Sequence, residues 1–212
     1  MMLAPPRAHA RAMFSALVES SGNDLPLDQC AAWIQAEEQG LSEIAPILTA
    51  LEQFSENLHV PSNANIFECV ARINHHMFVE HGFSGNPDGL ASPDASLLGE
   101  VLERKNGQPI LLSLIYMEIS RRHGVQMDGI GFPTHFLVQP HEADPVFFVD
   151  PFHQGRVLRM DQLRAWFERI VSERDLAITQ LERWLHPIPS RLVLLRMNQD
   201  LKAVYMQRGD LE

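Results

Sequence analysis

Residues 110–123 constrain the fold more than any other stretch. Ile110, Leu111, Leu112, Leu114, Ile115, Met117 and Ile119 spread apolar groups over most of a helical circumference. A helix that is apolar nearly all round has no face to offer water and belongs in the middle of a domain. Both ends are marked. Asn106-Gly107 predicts a turn, and Pro109 suits the first helical position because its missing N–H is expendable there. Gly124 suits the position just past the last turn. The rest of the chain must wrap around this helix.

The downstream pattern changes to short strands. Residues 125–132 and 134–139 alternate or run apolar at strand length on either side of Pro133. A tight connector over 140–145 leads to a third strand at 146–149, and 155–158 predicts a fourth. His135 falls on the second of these strands and Asp150 at the end of the third. Residues 160–172 then predict a helix with Leu163, Trp166, Phe167 and Ile170 inward, followed by a shorter helical piece over 176–185.

Upstream, helical spacing covers 8–20, 27–39 and a segment opening at Leu41 or Ser42 with Pro46 in its first turn. A fourth helix runs over 66–81, capped by Asn63 or Asn65. Residues 82–93 form a turn-rich loop, and Ser92 or Asp94 caps a short helix through Leu97 and Leu102. Pro187 and Pro189 make a linker before a last helix, 191–207, capped by Ser190. The fold class is α+β: a helical N-terminal part, a core with a small antiparallel sheet, and a terminal helix. The expected division is 1–90 for the helical region, 91–186 for the core and 187–210 for the start of a helical-repeat region. Leu211-Glu212 has the character of a cloning scar.

A chain of 212 residues buries about 70% of its unfolded surface and folds without a metal or disulfide. The formal net charge of −10 argues against a nucleic-acid partner, because phosphate recognition needs clustered cations. Two lysines stand against fifteen arginines, a bias of genomic composition rather than function. No apolar run approaches the ~20 residues needed to span a membrane. Residues 1–11 lack the apolar core of a secretion signal, so the expectation is a cytoplasmic protein. Cys30 and Cys69 lie in separate apolar helical patterns and predict two buried thiols in a reducing compartment.

Two groups of residues carry candidate chemistry. His75, His76 and His81 cluster on the fourth helix. Adjacent histidines point about 100° apart on a helix, and no carboxylate or thiol is in evident ligand register. Surface or packing histidines are therefore expected, and neither a metal nor a cofactor. The second group is the buried helix start at Gln108-Pro109 with His135 and Asp150. A nucleophilic thiol placed at such a helix start is activated by the helix dipole and a nearby imidazolium, while a carboxylate orients the imidazole.

ERKNGQPILLSLIYMEISRRHG, GIGFPTHFLV and FVDPF follow the chain order Cys–His–Asp of transglutaminase-like folds. They resemble the SirB-type bacterial family of transglutaminase-like proteins, and HGFSGN fits as well. RMNQDLKAVYMQRGD resembles the join between core and tetratricopeptide repeats in that family. The resemblance covers roughly residues 25–210. It implies a papain-like core in which His135 and Asp150 match the two supporting positions. The position matching the nucleophile is Pro109, which offers none.

Two residues are candidate substitutes. Ser113 lies one turn along the helix, where its bland role is a hydrogen bond back to a carbonyl. Cys69 is reachable only through folding. Without a nucleophile, His135 and Asp150 have three accounts: a structural hydrogen bond between strands, a cleft for a peptide or small ligand with Gln108 and Thr134 as rim donors, or general acid–base hydrolysis. The leading expectation is a catalytically silent domain that binds or regulates, with a protein partner on the repeats. The rival is a cysteine- or serine-type hydrolase or acyltransferase with a displaced nucleophile.

Overall fold

The computed structural model describes residues 5–22, 24–61, 63–85, 92–173 and 181–209. Four helices come first: α1 (Pro6–Ser20), α2 (Leu27–Gln39), α3 (Ala45–Glu56) and α4 (Ile66–Asn74). α4 continues into one π-helical turn, His75–Glu80. The strand β1 (Ser84–Gly85), a 3-10 turn (Pro93–Ser96), α5 (Leu98–Arg104) and β2 (Asn106–Gly107) lead to α6 (Pro109–Arg122). Then come β3 (Met127–Ile130), β4 (Leu137–Pro140), β5 (Phe148–Asp150), a 3-10 turn (Pro151–His153) and β6 (Arg156–Leu158). α7 (Met160–Glu173), a 3-10 turn (Leu181–Trp184) and α8 (Ser190–Arg208) follow.

Local chemistry accounts for the ends of these elements. Asn65 caps α4 through its side chain, and Glu68 reaches back to the Asn65 N–H, so two orphan donors are satisfied reciprocally. α6 begins at Pro109 as its sequence predicts, and its buried residues occupy every side of it, from Ile110 to Ser120. Leu111, Leu112, Leu114, Ile115 and Ile119 are fully buried, each contributing about 1.5–3 kcal/mol relative to exposure.

β3, β4, β5 and β6 form an antiparallel meander in that order. Strand alternation sorts its two faces. Phe136, Val138, Phe147 and Val149 join the cluster around α6, which also takes in α2, α3, α5 and Val193, Leu194 and Met197 of α8. Ile130, Leu137, Phe148 and Leu158 join a second cluster with Leu163, Phe167 and Ile170 of α7. The sheet is thus covered on both sides, by α6 and by α7.

Three expectations change. Asn106-Gly107 is not a turn but a short parallel pairing with Ser84-Gly85. The reversal comes one residue earlier, where Lys105 takes a left-handed conformation at φ 58° and closes α5. The strand at 134–139 starts only at Leu137, because Pro133 and Thr134 form a turn closed by the His135 N–H donating to the Phe132 carbonyl. The helix over 66–81 changes pitch after Asn74. The middle of the 82–93 loop and the first part of the 176–185 helix lie outside the described residues, as do the boundary at 90–91 and Leu211-Glu212. No helix among the described residues is long and apolar enough to cross a membrane.

Candidate functional site

The site is assembled by two turns at one end of the meander. In the first, Pro133 and Thr134 occupy the middle of a β-turn. Proline's fixed φ suits the first middle position, and Thr134 takes φ 63° at the second. Glycine or asparagine ordinarily holds that conformation; a β-branched residue there is strained. Thr134 is exposed while His135, directly after it, is 6% exposed. The turn therefore drives the imidazole inward.

The second turn follows β5. Asp150 is fully buried, and its carboxylate collects four donors. Oδ1 accepts from His135 Nε2 at 2.7 Å and from the His153 backbone N–H at 3.2 Å. Oδ2 accepts from His153 Nδ1 at 2.7 Å and from the Arg156 guanidinium at 3.1 Å. Burial alone pushes Asp150 upward, but the hydrogen bonds and charges of His135 and His153 outweigh it and hold the carboxyl below its usual range. Asp150 is thus an anion at neutral pH. By accepting from Nε2 it fixes the His135 tautomer and leaves Nδ1 as the ring's basic nitrogen.

Aromatic rings enclose the pair. Phe152 meets His135 edge-on at 5.5 Å, His153 stacks on it at 5.3 Å, and Trp166 of α7 approaches at 5.1 Å between centroids. Arg156 lies over the Trp166 ring at 5.2 Å. Gly85 is required beneath Phe152, since a Cβ there would stand 2.3 Å from the ring. A partly buried relay supports the second turn from behind: Tyr116 of α6 donates to Asn74, and Asn74 donates to the Gly155 carbonyl at 2.8 Å.

The sequence-predicted residues separate into two sets. His135 and Asp150 are brought together. Ser113 is fully buried and donates across to the Phe136 carbonyl at 3.3 Å, docking α6 against the residue after His135. Gln108 is also buried, so Thr134 alone of the expected rim donors is exposed. Cys69 is elsewhere, in a recess of about 550 Å³ with Val60, Ala64, His123 and Gly124. Burial, then Glu68, push its thiol up, away from nucleophilic thiolate character. His153 and Arg156 were not anticipated. The signal was present in DPFHQGR, where polar groups three and six residues past Asp150 return to it through a 3-10 turn and a hairpin.

Residues 38–199 match the transglutaminase-like superfamily. The chain belongs to that superfamily. Among relatives, a UPF0162 protein of Xylella fastidiosa (strain 9a5c) is 38% identical over 142 residues, covering 64% of this chain and 48% of the relative. A UPF0162 protein of Pseudomonas aeruginosa is 27% identical over 187 residues, 87% of this chain and 66% of that one. F-box only protein 21 of Homo sapiens is 23% identical over 146 residues, 65% of this chain and 23% of that protein. The chain spans about half the length of the Xylella relatives it matches. No solved structure matches it. The superfamily match covers α6, the meander and both site turns, so the His–Asp pair and the helix start at Pro109 all lie within the transglutaminase-like domain.

Proposed function

We propose that this transglutaminase-like domain is catalytically silent and works as a binding or regulatory module around His135 and Asp150. The observation that carries the reading is the start of α6. Proline at position 109 supplies neither a nucleophilic side chain nor a backbone N–H. An acyl-transfer site needs the first to attack and N–H donors to stabilise the oxyanion. Proline removes the nucleophile and that position's own N–H donor, while the imidazole and its carboxylate remain.

The rival reading, a displaced nucleophile, finds little support. The Ser113 hydroxyl is buried and donates to a carbonyl, and Cys69 lies in a different recess. A ligand at the site would meet the exposed Thr134 and the half-exposed His153, Arg156 and Trp166. These suit a peptide or small molecule carrying an acceptor group and a flat apolar face. A protein partner would use α8, whose Leu192 and Leu195 are 48% and 52% exposed and whose sequence reads as the start of a helical repeat.

The purified chain should turn over neither amide nor ester substrates, and thiol- and hydroxyl-directed activity probes should label neither Cys69 nor Ser113. Turnover that His135→Ala abolishes would defeat the reading. Selective labelling of either residue would establish the rival.

A further inference from the structure

His75, His76 and His81 are left without a role by the site around Asp150. The π-helical turn gives His76 and His81 one. In an α-helix position i+5 is rotated about 140° from position i, so His76 and His81 would diverge. Here the His81 N–H donates to the His76 carbonyl at 3.1 Å, an i→i+5 closure that brings them onto one side. Their ring centroids are 4.5 Å apart. Glu80 joins from between, with Oε2 at 3.0 Å from His76 Nδ1. The expectation that no carboxylate stands in register is thereby corrected.

The hydrogen bonding of His76 decides what this cluster wants. Its Nε2 lies 2.8 Å from the Phe54 carbonyl oxygen, which can only accept, so Nε2 carries the hydrogen. In the neutral imidazole Nδ1 is then a lone pair. It faces the carboxylate of Glu80, lone pair against lone pair, and a positive species must lie between them. A proton would make an ion pair and would have no use for a third donor. A metal ion would. The ligand atoms of His76, Glu80 and His81 all lie within 4.8 Å of one another. Bonds of about 2.0–2.2 Å to one ion in tetrahedral geometry set neighbouring ligand atoms roughly 3.3–3.6 Å apart, a closure of about 1 Å that side-chain rotation of the exposed Glu80 can supply.

We propose that His76 Nδ1, Glu80 and His81 form a binding site for a borderline divalent transition metal such as zinc, with the Phe54 carbonyl as the outer partner that fixes the His76 tautomer. A backbone carbonyl on the far ring nitrogen is the ordinary support of a ligating histidine, and two imidazoles with one carboxylate suit zinc rather than calcium or magnesium. His76 is 2% exposed and stacks on Phe54 at 4.9 Å, while the Glu80 side chain is 51% exposed, leaving water a route to the remaining position. Lys105 spans the Phe54 and Phe83 rings, and its charge opposes a bound cation.

The cluster of His135, Asp150 and His153 meets the same distance condition but lacks the motive. Both Asp150 oxygens already hold N–H donors, and Arg156 supplies the positive charge.

The test uses chelator-treated chain titrated with zinc by calorimetry and with cobalt by visible absorption. The expected result is one equivalent per chain, with cobalt bands of low-coordinate nitrogen–oxygen ligation. The Glu80→Gln/His81→Asn double variant, altered only at partly exposed positions, should bind at least about tenfold more weakly with an unchanged circular dichroism spectrum. His153→Asn should bind normally. No binding by the wild-type chain, or equal binding by the double variant, overturns the proposal. So does a nitrogen NMR signal showing His76 Nδ1 protonated in the presence of zinc. None of these outcomes bears on the silent reading of the His135–Asp150 site.

Discussion

Asp150→Ala removes the hub of the site, and its consequence follows from the fate of four donors. His153 and Arg156 have side chains 49% and 48% exposed, so water can replace the carboxylate for them. His135, with its side chain 7% exposed, cannot recover a partner for Nε2–H. A stranded buried donor costs about 1–3 kcal/mol, toward the upper end when the lost acceptor was a carboxylate, so about 3 kcal/mol is expected. Urea unfolding followed by tryptophan fluorescence, with a slope of about 2 kcal/mol per molar, should show the midpoint fall by about 1.5 M. Asp150→Asn should cost less, about 1–2 kcal/mol, because the amide oxygen still accepts on one side and His153 can change tautomer to accept the new N–H.

Acid adds an independent check. A carboxyl held below its unfolded value of 3.8 stabilises the fold above that pH, and the contribution is lost as pH falls through the lower folded value. The gap between wild type and Asp150→Ala must therefore narrow below about pH 4. A loss under about 1 kcal/mol for Asp150→Ala, an asparagine as damaging as alanine, or acid limbs that run parallel would each refute the reasoning.

Gly85→Ala should lower stability by about 1–3 kcal/mol in thermal unfolding, because its Cβ would enter the space of the buried Phe152 ring at 2.3 Å. Thr134→Gly should raise stability by about 0.5–1 kcal/mol, relief of the left-handed strain exceeding the entropy of glycine; a urea midpoint that falls contradicts the strain at φ 63°. Cys30, its thiol pushed up to about 11 by burial and by Asp28, and the buried Cys69 should resist alkylation at pH 8 until the chain unfolds. Rapid native labelling of either, scored by mass spectrometry, would contradict their burial.

What the sequence disclosed depended on whether a signal was local. The apolar circumference of residues 110–123 identified the central helix, and proline and glycine marked its ends. The Asn65 cap and the four short strands were legible for the same reason. Legibility failed where tertiary contact overrode a local preference. Asn106-Gly107 has turn chemistry, yet Gly107 is needed because a Cβ would stand 2.7 Å from Val101, and the segment pairs with β1 instead. Thr134 has strand propensity but is forced into a turn. The change of pitch after Asn74 carries no sequence mark at all. It is seen only through the His81-to-His76 hydrogen bond, and with it went the alignment of His76, Glu80 and His81.

The pairing of His135 with Asp150 was legible only through the superfamily resemblance, and its energetic meaning only through the structure. A buried carboxylate and the polar groups that satisfy it are a poor device for stability alone, since well-packed apolar groups of similar volume often do as well or better. The neighbourhood could supply them: Phe152 and Trp166 already border the pair, and Phe132 lies 4.8 Å from Trp166. The chain instead spends a strained Thr134, a buried anion and an exposed arginine to hold one imidazole with Nε2 tied to Asp150. Under the proposed binding reading, the other ring nitrogen, Nδ1, is the atom that would accept or exchange a hydrogen bond with a ligand. With proline at the helix start the partner cannot be a thiol of residue 109. On the proposed reading it is a bound ligand, and protection of His135 from hydrogen–deuterium exchange at its ring carbon would reveal it.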